Sequence, residues 1–129
     1  MVESKRLSEQ VLGCAQNVSR EWGAGFLEKV YENARGVELL HTGIPFQCQQ
    51  QFGIYYKGES TGSYYADLVV DNRLLVELKA LSGFSSEHDA QVINYLRASG
   101  LTVGLLLNFG VKRLGIRRLV WNYDDKNNI

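Results

Sequence analysis

Three charged residues interrupt two apolar segments in the middle of the chain, where strands are expected. Asp67 lies in "YYADLVV", residues 64–70, whereas Glu77 and Lys79 lie in "LLVELKA", residues 74–80. Strands this apolar are typically buried, and burying an ionised side chain without a partner is costly. These three residues are therefore the first candidates for a functional role.

The turn between the two segments decides whether Asp67 and Glu77 face each other. A three-residue turn over residues 71–73 pairs Val70 with Leu74 and sets the two carboxylates opposite each other, with Cβ atoms about 5 Å apart. A two-residue turn shifts the register by one and sends the carboxylates to opposite faces of the sheet. The asparagine in the middle of the three residues tolerates left-handed backbone geometry, which favours the longer turn.

Two adjacent carboxylates repel each other, and a divalent cation removes that conflict. Mg²⁺ prefers oxygen ligands and is usually held by one or two carboxylates together with water and substrate phosphate. Lys79, on the same strand face as Glu77, could then hold a water or stabilise charge that develops on a phosphate. The alternative is a Glu77–Lys79 ion pair on an exposed sheet face, with Asp67 solvated.

Hydrophobic periodicity predicts the element order ααβββαββ, which is an α/β or α+β fold with a mixed central sheet flanked by helices. Helices are expected at about residues 4–20, 24–43 and 86–100. Strands are expected in residues 46–58, 62–70, 74–80, 101–109 and 114–121. The fourth of these strands is apolar on both faces and is therefore expected inside the sheet.

Each predicted helix has an apolar stripe that is expected to face the core. The first stripe is Leu7, Val11, Ala15 and Val18. The second is Phe26 or Leu27, Val30, Ala34, Val37 and Leu40, with Glu28, Glu32 and Arg35 off the stripe. The third helix is expected to begin at the cap Ser86, to bury Val92, Ile93 and Leu96, and to stop at Gly100.

The length of 129 residues and the 45% hydrophobic content suit one domain, expected over residues 1–123 and followed by a frayed tail at 124–129. Because the chain has no run of about 18 apolar residues, no membrane span is expected. The polar start "MVESKRLSEQ" lacks the apolar region of a secretory signal, so a cytoplasmic protein is expected.

The cysteines and histidines do not predict a zinc site. Cys14 and Cys48 are too few for a disulfide scaffold or a four-cysteine site, and no pair formed with His41 or His88 has zinc-finger spacing. Cys14 is expected to be a small core residue. His88 is expected to be a surface histidine.

The charge balance argues against strong non-specific binding of duplex DNA, since the chain has 14 basic and 14 acidic residues. Residues 90–123 nevertheless contain no acidic residue. Their basic residues form either a solvated face, which charge alone favours, or a flank that faces phosphate. These residues are Arg97, Lys112, Arg113, Arg117 and Arg118.

Several motifs, in their order, resemble the PD-(D/E)XK nuclease superfamily. Asp67 followed by Glu77-Leu78-Lys79 is similar to its D…(D/E)xK signature, with "AD" in place of the literal "PD". "GFLEKVY", residues 25–31, fits the GxxExxY motif that names one bacterial family of this superfamily. "QVINY", residues 91–95, fits the QxxxY element of RecB-like and Cas4-like exonucleases. "GLLLNFG" and "IRRLVW" are also similar to the GxxExxY family, so the resemblance spans about residues 7–121.

The resemblance implies a restriction-endonuclease-like core and a Mg²⁺-dependent deoxyribonuclease, with Mn²⁺ as a substitute. It implies that Asp67 and Glu77 are metal ligands, with the Leu78 carbonyl as a third. Lys79 would position or activate the attacking water. The cysteines that hold an iron–sulfur cluster in Cas4-like relatives are absent from the sequence, so no such cluster is expected.

The resemblance also assigns roles to residues on the helices. Glu28 would face the site and either bind the metal or hold a metal-bound water, Gln91 would line the site, and Tyr95 would lie beside it. Periodicity alone gives no such roles and favours a solvated Glu28 and a boundary Tyr31. Gln91 and Tyr95 form an i, i+4 pair for which periodicity likewise favours a structural role.

Three functions are therefore compared. The first is metal-assisted hydrolysis of DNA phosphodiester bonds by in-line attack of water. The second is a catalytically weak nucleic-acid-binding or regulatory module on a nuclease fold. The third is a structural partner in an oligomer. A homodimer is compatible with the first two as well.

Overall fold

The computed structural model describes residues 6–123 and 129, and its elements follow the predicted order. The helices are α1 (Leu7–Trp22), α2 (Glu28–Thr42) and α3 (Ser86–Ser99). The strands are β1 (Phe46–Tyr56), β2 (Glu59–Val70), β3 (Leu74–Lys79), β4 (Val103–Asn108) and β5 (Gly115–Val120). The prediction of an α+β fold with a mixed sheet and flanking helices is confirmed.

The five strands form one sheet in the order β1-β2-β3-β4-β5. β3 and β4 are parallel, and the other neighbours are antiparallel. A parallel pair needs a crossover connection, which α3 supplies. β4 is buried along its whole length and lies between two other strands, which explains its unbroken apolar sequence.

Helices cover both faces of the sheet. α1 and α2 cover the face to which Leu74, Val76 and Leu78 of β3 point. α3 covers the opposite face and packs Val92 and Leu96 against the sheet. The helix approaches β4 at Gly104, where an added Cβ would lie 2.8 Å from the side chain of Val92, so only a glycine fits without a shift.

The apolar stripe predicted for α1 is confirmed, because Leu7, Val11, Ala15 and Val18 are all buried. Cys14 is buried on the same face, as expected for a small core residue. Cys48 is exposed on β1.

The apolar stripe predicted for α2 is wrong. The helix buries Tyr31, Glu32, Arg35, Gly36 and Leu39. Leu27, Val37 and Leu40 of the predicted stripe are exposed instead. The reason is that the inward face carries polar side chains directed at the candidate site, so counting apolar residues selects the outer face.

The N-cap of α3 also differs from the prediction. The cap is Ser85 rather than Ser86, and its backbone N–H donates to Nδ1 of His88 at 3.0 Å. The helix ends at Gly100 as predicted, with φ 79°. Val92 and Leu96 are buried, whereas Ile93 is half-buried.

The predicted frayed tail at 124–129 lies outside the described residues except for Ile129. Ile129 is buried beside the α1 core, and its carbonyl accepts a hydrogen bond from the Ser8 N–H at 3.0 Å. Among residues 6–123 and 129, no helix is both long and apolar enough to cross a membrane.

Candidate active site

β2 and β3 diverge after a short paired segment, and the candidate site lies at this fork. The predicted three-residue turn is present, since Val70 pairs with Leu74. The pairing then continues to Leu68 and Val76. Beyond this point β2 stays paired with β1, whereas the end of β3 pairs with β4. The fork therefore opens at Asp67 on one strand and at Glu77 on the other.

The Asp67 carboxylate forms hydrogen bonds across the opening of the fork. Its Oδ2 accepts a hydrogen bond from the Leu78 N–H at 2.8 Å. If the two strands stayed paired, this N–H would instead donate to a backbone carbonyl of β2. Its Oδ1 lies 3.4 Å from Nε2 of Gln49, which donates to it. The Asp67 carboxylate is thus held between β1 and β3.

Glu77 is an acidic residue in a buried position, with 6% of its surface exposed. Within the described part of the chain, its Oε1 has no hydrogen-bond partner. Burial, together with the nearby Asp67 carboxylate, raises the pKa of Glu77 to about 9, while the Lys79 ammonium acts in the opposite direction. Glu77 is therefore protonated at neutral pH unless a cation binds.

The carboxylates at the fork fit a hard divalent cation. Two acidic side chains lie close together, and the Glu77 carboxyl has a buried oxygen for which the described residues provide no donor. A cation would replace the missing donor and would favour the ionised form of both groups. This donor set of oxygens suits Mg²⁺ or Mn²⁺.

Glu28 belongs to the first turn of α2, and its side chain contacts the chain just after the end of β3. Its Oε1 accepts a hydrogen bond from the Ala80 N–H at 3.4 Å, directly after Lys79. Glu28 and Asp67 line the same open cleft of about 560 Å³. Nowhere in residues 6–123 or at 129 are three acidic, histidine or cysteine side chains arranged to hold a metal. The structure thus brings Asp67 and Glu77 together and leaves Glu28 on the Ala80 N–H.

Tyr95 on α3 lies within electrostatic range of the carboxylates at the fork, and Gln91 contacts Tyr95. Burial raises the pKa of Tyr95, and so do the nearby carboxylates of Glu77 and Asp67, while a hydrogen bond with the Gln91 side chain lowers it. The Tyr95 ring is stacked on Tyr64, with centroids 3.9 Å apart. Tyr95 is thus close enough to the acidic residues for their charge to affect its pKa, whereas Gln91 contacts Tyr95, and both residues line a separate groove.

Glu32 and Gln49 extend the site, although the sequence did not indicate them. Glu32 is buried and accepts hydrogen bonds from Nε2 of Gln49 at 3.1 and 3.3 Å, and from Nζ of Lys29 at 3.4 Å. Gln49 interrupts β1 with a φ of 53°. This conformation directs its amide to both Glu32 and Asp67, so the two carboxylates are linked through one side chain.

Arg35 lies beneath these carboxylates and is fully buried. Among the described residues, none of its guanidinium nitrogens has a hydrogen-bond partner. Burial lowers the pKa of Arg35 to about 10, and Cys14, Asp67 and Glu32 act against this shift. The Arg35 guanidinium therefore offsets part of the negative charge of the cleft. The sequence did contain one signal for this pair, since Glu32 and Arg35 are three residues apart and so lie on the same face of α2.

Asn108 fixes the chain that follows Lys79. Its Oδ1 accepts hydrogen bonds from the N–H groups of Leu81 and Gly110 at 2.8 and 2.9 Å, and its Nδ2 donates to the Leu81 carbonyl at 3.0 Å. A Cβ on Gly110 would lie 2.3 Å from the Leu81 nitrogen, so a glycine is required. The "NFG" of "GLLLNFG" thus closes the end of β3 and positions Lys79.

The basic residues of the C-terminal third contact aromatic rings. Arg97 lies over Trp121, Arg117 over Phe84 and Arg118 over Tyr123. Arg117 also pairs with Asp89 at 2.9 Å. These three arginines therefore contact other side chains of the protein, whereas the sequence predicted either a solvated face or a flank that faces phosphate.

Comparisons with known proteins give the fold and the family of the chain. A solved structure titled "Crystal structure of SSO0001" is similar in fold, with a TM-score of 0.50 and 13% sequence identity. The similarity covers 98% of this chain and 73% of that one. No curated protein matches the sequence. A family profile of the PD-(D/E)XK nuclease superfamily matches residues 5–119, nearly the whole chain. The chain belongs to the PD-(D/E)XK nuclease superfamily.

Proposed function

We propose that the protein is a Mg²⁺-dependent deoxyribonuclease of the GxxExxY group. Membership of the superfamily supports a nuclease, which is a hydrolase. The observation that carries the proposal is Glu77, an acidic side chain buried without a full set of partners beside Asp67. Perturbed acidic residues of this kind cluster at functional sites.

Asp67, Glu77 and the Leu78 carbonyl would hold the cation, and Glu28 would complete the site directly or through a water. When bound, Mg²⁺ supplies Lewis-acid stabilisation of the negative charge on the phosphate oxygens, and Mn²⁺ serves as a substitute. Asp67 is already oriented for this role by the Leu78 N–H and by Gln49. Arg35 offsets part of the negative charge of Asp67 and Glu32.

Lys79 acts on the attacking water. Its backbone is fixed because its carbonyl accepts from the Phe109 N–H at 2.8 Å, and its ammonium is close enough to Glu77 to oppose the rise in the pKa of that carboxyl. The ammonium orients the water and stabilises the charge that develops on the phosphate. Gln91 and Tyr95 contact the substrate strand.

The GxxExxY motif has a physical basis in the loop before α2. The Tyr31 hydroxyl donates to the Gly23 carbonyl at 2.7 Å and accepts from the Phe26 N–H at 3.0 Å. Gly25 has a φ of 120°, which other residues rarely adopt. Tyr31 therefore closes the loop that leads into Glu28, and the spacing of the motif positions that carboxylate. This arrangement supports the assignment to the GxxExxY group.

The test is cleavage of labelled single- and double-stranded DNA with Mg²⁺, with Mn²⁺, and with EDTA. Asp67→Ala and Lys79→Ala are each expected to lower the rate by about 10²-fold or more. Asp71→Ala, which removes an acidic residue from the turn at the other end of the paired segment, serves as the matched control and retains the rate. Cleavage that survives both site substitutions would overturn the proposal.

A second candidate is a nucleic-acid-binding or regulatory module with little turnover. The position of Glu28 favours it, because this carboxylate contacts the Ala80 N–H instead of joining Asp67 and Glu77. Salt-dependent DNA binding without cation-dependent cleavage would select this function.

DNA as the ligand fits the expected cytoplasmic location for both candidate functions. A homodimer could form through the exposed residues of α2, and light scattering tests it.

A further inference from the structure

A groove separates the far end of the β1–β2 hairpin from α3. Its volume is about 810 Å³. We propose that this groove binds unpaired nucleotides of the strand that is cleaved at the fork, an inference that rests on the proposed function. The residues that define the groove are Ile54 and Tyr55 on the hairpin and Gln91, Asn94, Tyr95 and Ala98 on α3.

Tyr95 connects the groove with the candidate active site. It lines the groove, and its ring stacks on Tyr64, which lies in β2 three residues before Asp67. The carboxylates of Glu77 and Asp67 are close enough to raise the pKa of Tyr95. A strand with a phosphodiester at the fork would therefore have its next nucleotides directed into the groove.

Tyr55 offers a surface on which a base can stack. Its side chain is 68% exposed, although it lies in a strand. The ring packs against the backbone of Gly53, where an added Cβ would lie 2.8 Å from Cε2 of Tyr55. An aromatic ring that is already held in place loses little conformational entropy when a base stacks on it. Stacking of this kind tolerates any base.

A bulge shapes the hairpin end that carries Tyr55. Ile54 pairs with Gly62 and Tyr55 pairs with Ser60, so the register skips Thr61. The Thr61 hydroxyl donates to the Ile54 carbonyl at 3.1 Å and fixes the bulge. Because a bulge bends the strand pair and increases its twist, the hairpin end turns and Ile54 and Tyr55 both line the groove.

The remaining side chains of the groove suit an unpaired strand better than a duplex. Gln91 and Asn94 provide amide donors and acceptors for base edges, and Arg97 provides a cation for a phosphate, beside one acidic residue, Glu87. Stacking on Tyr55 needs a free base face, which unpaired nucleotides offer. Duplex binding depends mainly on phosphate neutralisation, and the chain has a net charge of zero.

The test measures binding of a labelled single-stranded oligonucleotide of mixed sequence and of its duplex by fluorescence anisotropy. All proteins carry Lys79→Ala and are kept in EDTA, so that no cleavage occurs. Adding Tyr55→Ala is expected to weaken single-strand binding by about 5- to 150-fold, the effect of one lost base–aromatic stack. Tyr56→Ala is the matched control, because Tyr56 is a neighbouring tyrosine with 65% exposure that does not line the groove.

An oligonucleotide containing 2-aminopurine provides a local readout. Stacking on Tyr55 changes the fluorescence of this base on binding, and Tyr55→Ala abolishes the change. Equal affinities for the two tyrosine variants would overturn the inference, and so would tighter binding of the duplex or no binding of nucleic acid. Cleavage by the wild type with no effect of Tyr55→Ala would overturn the groove alone. Tyr55-dependent binding without cleavage would overturn the proposed catalysis alone.

Discussion

Glu77 and Asn108 are polar residues buried near the ends of two neighbouring strands, with exposures of 6% and 1%. Asn108 makes three hydrogen bonds to the backbone of Leu81 and Gly110. Glu77 has a buried oxygen that no described residue satisfies. Native proteins rarely leave such a group unpaired without a functional reason. Asn108 therefore stabilises the fold, whereas Glu77 destabilises it until a ligand binds.

The largest expected effect is the loss of stability in Asn108→Leu. The substitution leaves two N–H groups and one carbonyl without a partner at half-buried positions and places an apolar side chain among them, so the free energy of unfolding should fall by about 3 kcal/mol. Urea unfolding measures the change. Asn33→Leu, at an exposed position on α2, is the control and should change stability by less than about 0.5 kcal/mol. A loss below about 1 kcal/mol in Asn108→Leu would remove the contrast with Glu77.

Glu77→Gln should raise the free energy of unfolding in the absence of divalent cations, which is opposite to the effect of Asn108→Leu. The folded pKa of about 9 exceeds the unfolded value, so the native state holds one proton more between these pH values. Stability is therefore full below the unfolded pKa and falls as pH rises toward 9, by up to about 1.4 kcal/mol per pH unit.

Urea unfolding in EDTA at several pH values between 5 and 9 checks this dependence. Glu77→Gln should flatten the profile and be more stable than the wild type by about 1 kcal/mol or more at pH 8. Glu87→Gln, at an exposed position on α3, should keep the wild-type slope. A wild-type profile that rises with pH through this window would contradict the raised pKa.

Tyr31→Phe should have a smaller effect. It removes one hydroxyl that bonds to the Gly23 carbonyl and to the Phe26 N–H, so a loss of about 1–2 kcal/mol is expected. The ring itself remains stacked on Phe109. Since the loop before Glu28 loosens, DNA cleavage should fall more than stability alone explains. Unchanged cleavage at a temperature where the variant is fully folded would separate Tyr31 from the site.

Leu40→Gln should have the smallest effect, because Leu40 is 71% exposed on the outer face of α2. Its free energy of unfolding should change by less than about 0.5 kcal/mol. Thermal unfolding at two protein concentrations measures it. A loss above about 1.5 kcal/mol that depends on concentration would mean that the outer face is covered in solution, as in a homodimer.

Most of the fold follows from local sequence signals. The element order, the stop of α3 at Gly100 and the inward stripe of α1 were predicted because period, caps and apolar content agreed there. The three-residue turn was predicted from its central asparagine, and it brings Asp67 near Glu77. These signals act over a few residues, so one sequence is enough to read them.

The candidate site was predicted only in part, because its remaining features depend on distant contacts. The fork exists because β2 and β3 keep different partners, β1 and β4, and no local signal encodes that choice. Glu32 and Arg35 were predicted to lie off the apolar stripe of α2, because polar residues usually face solvent, but both are buried. Gln49 joins the site through a φ of 53°, which its residue type does not predict.

Glu77 at the fork is expected to keep its proton until a divalent cation displaces it. Isothermal titration calorimetry of Mn²⁺ binding at pH 7, in buffers with different ionisation enthalpies, counts the protons released. We expect Mn²⁺ to bind to the wild type with release of about one proton, and to bind more weakly to Glu77→Gln without proton release. Binding that is equally tight in both proteins, with no proton released from either, would contradict this expectation.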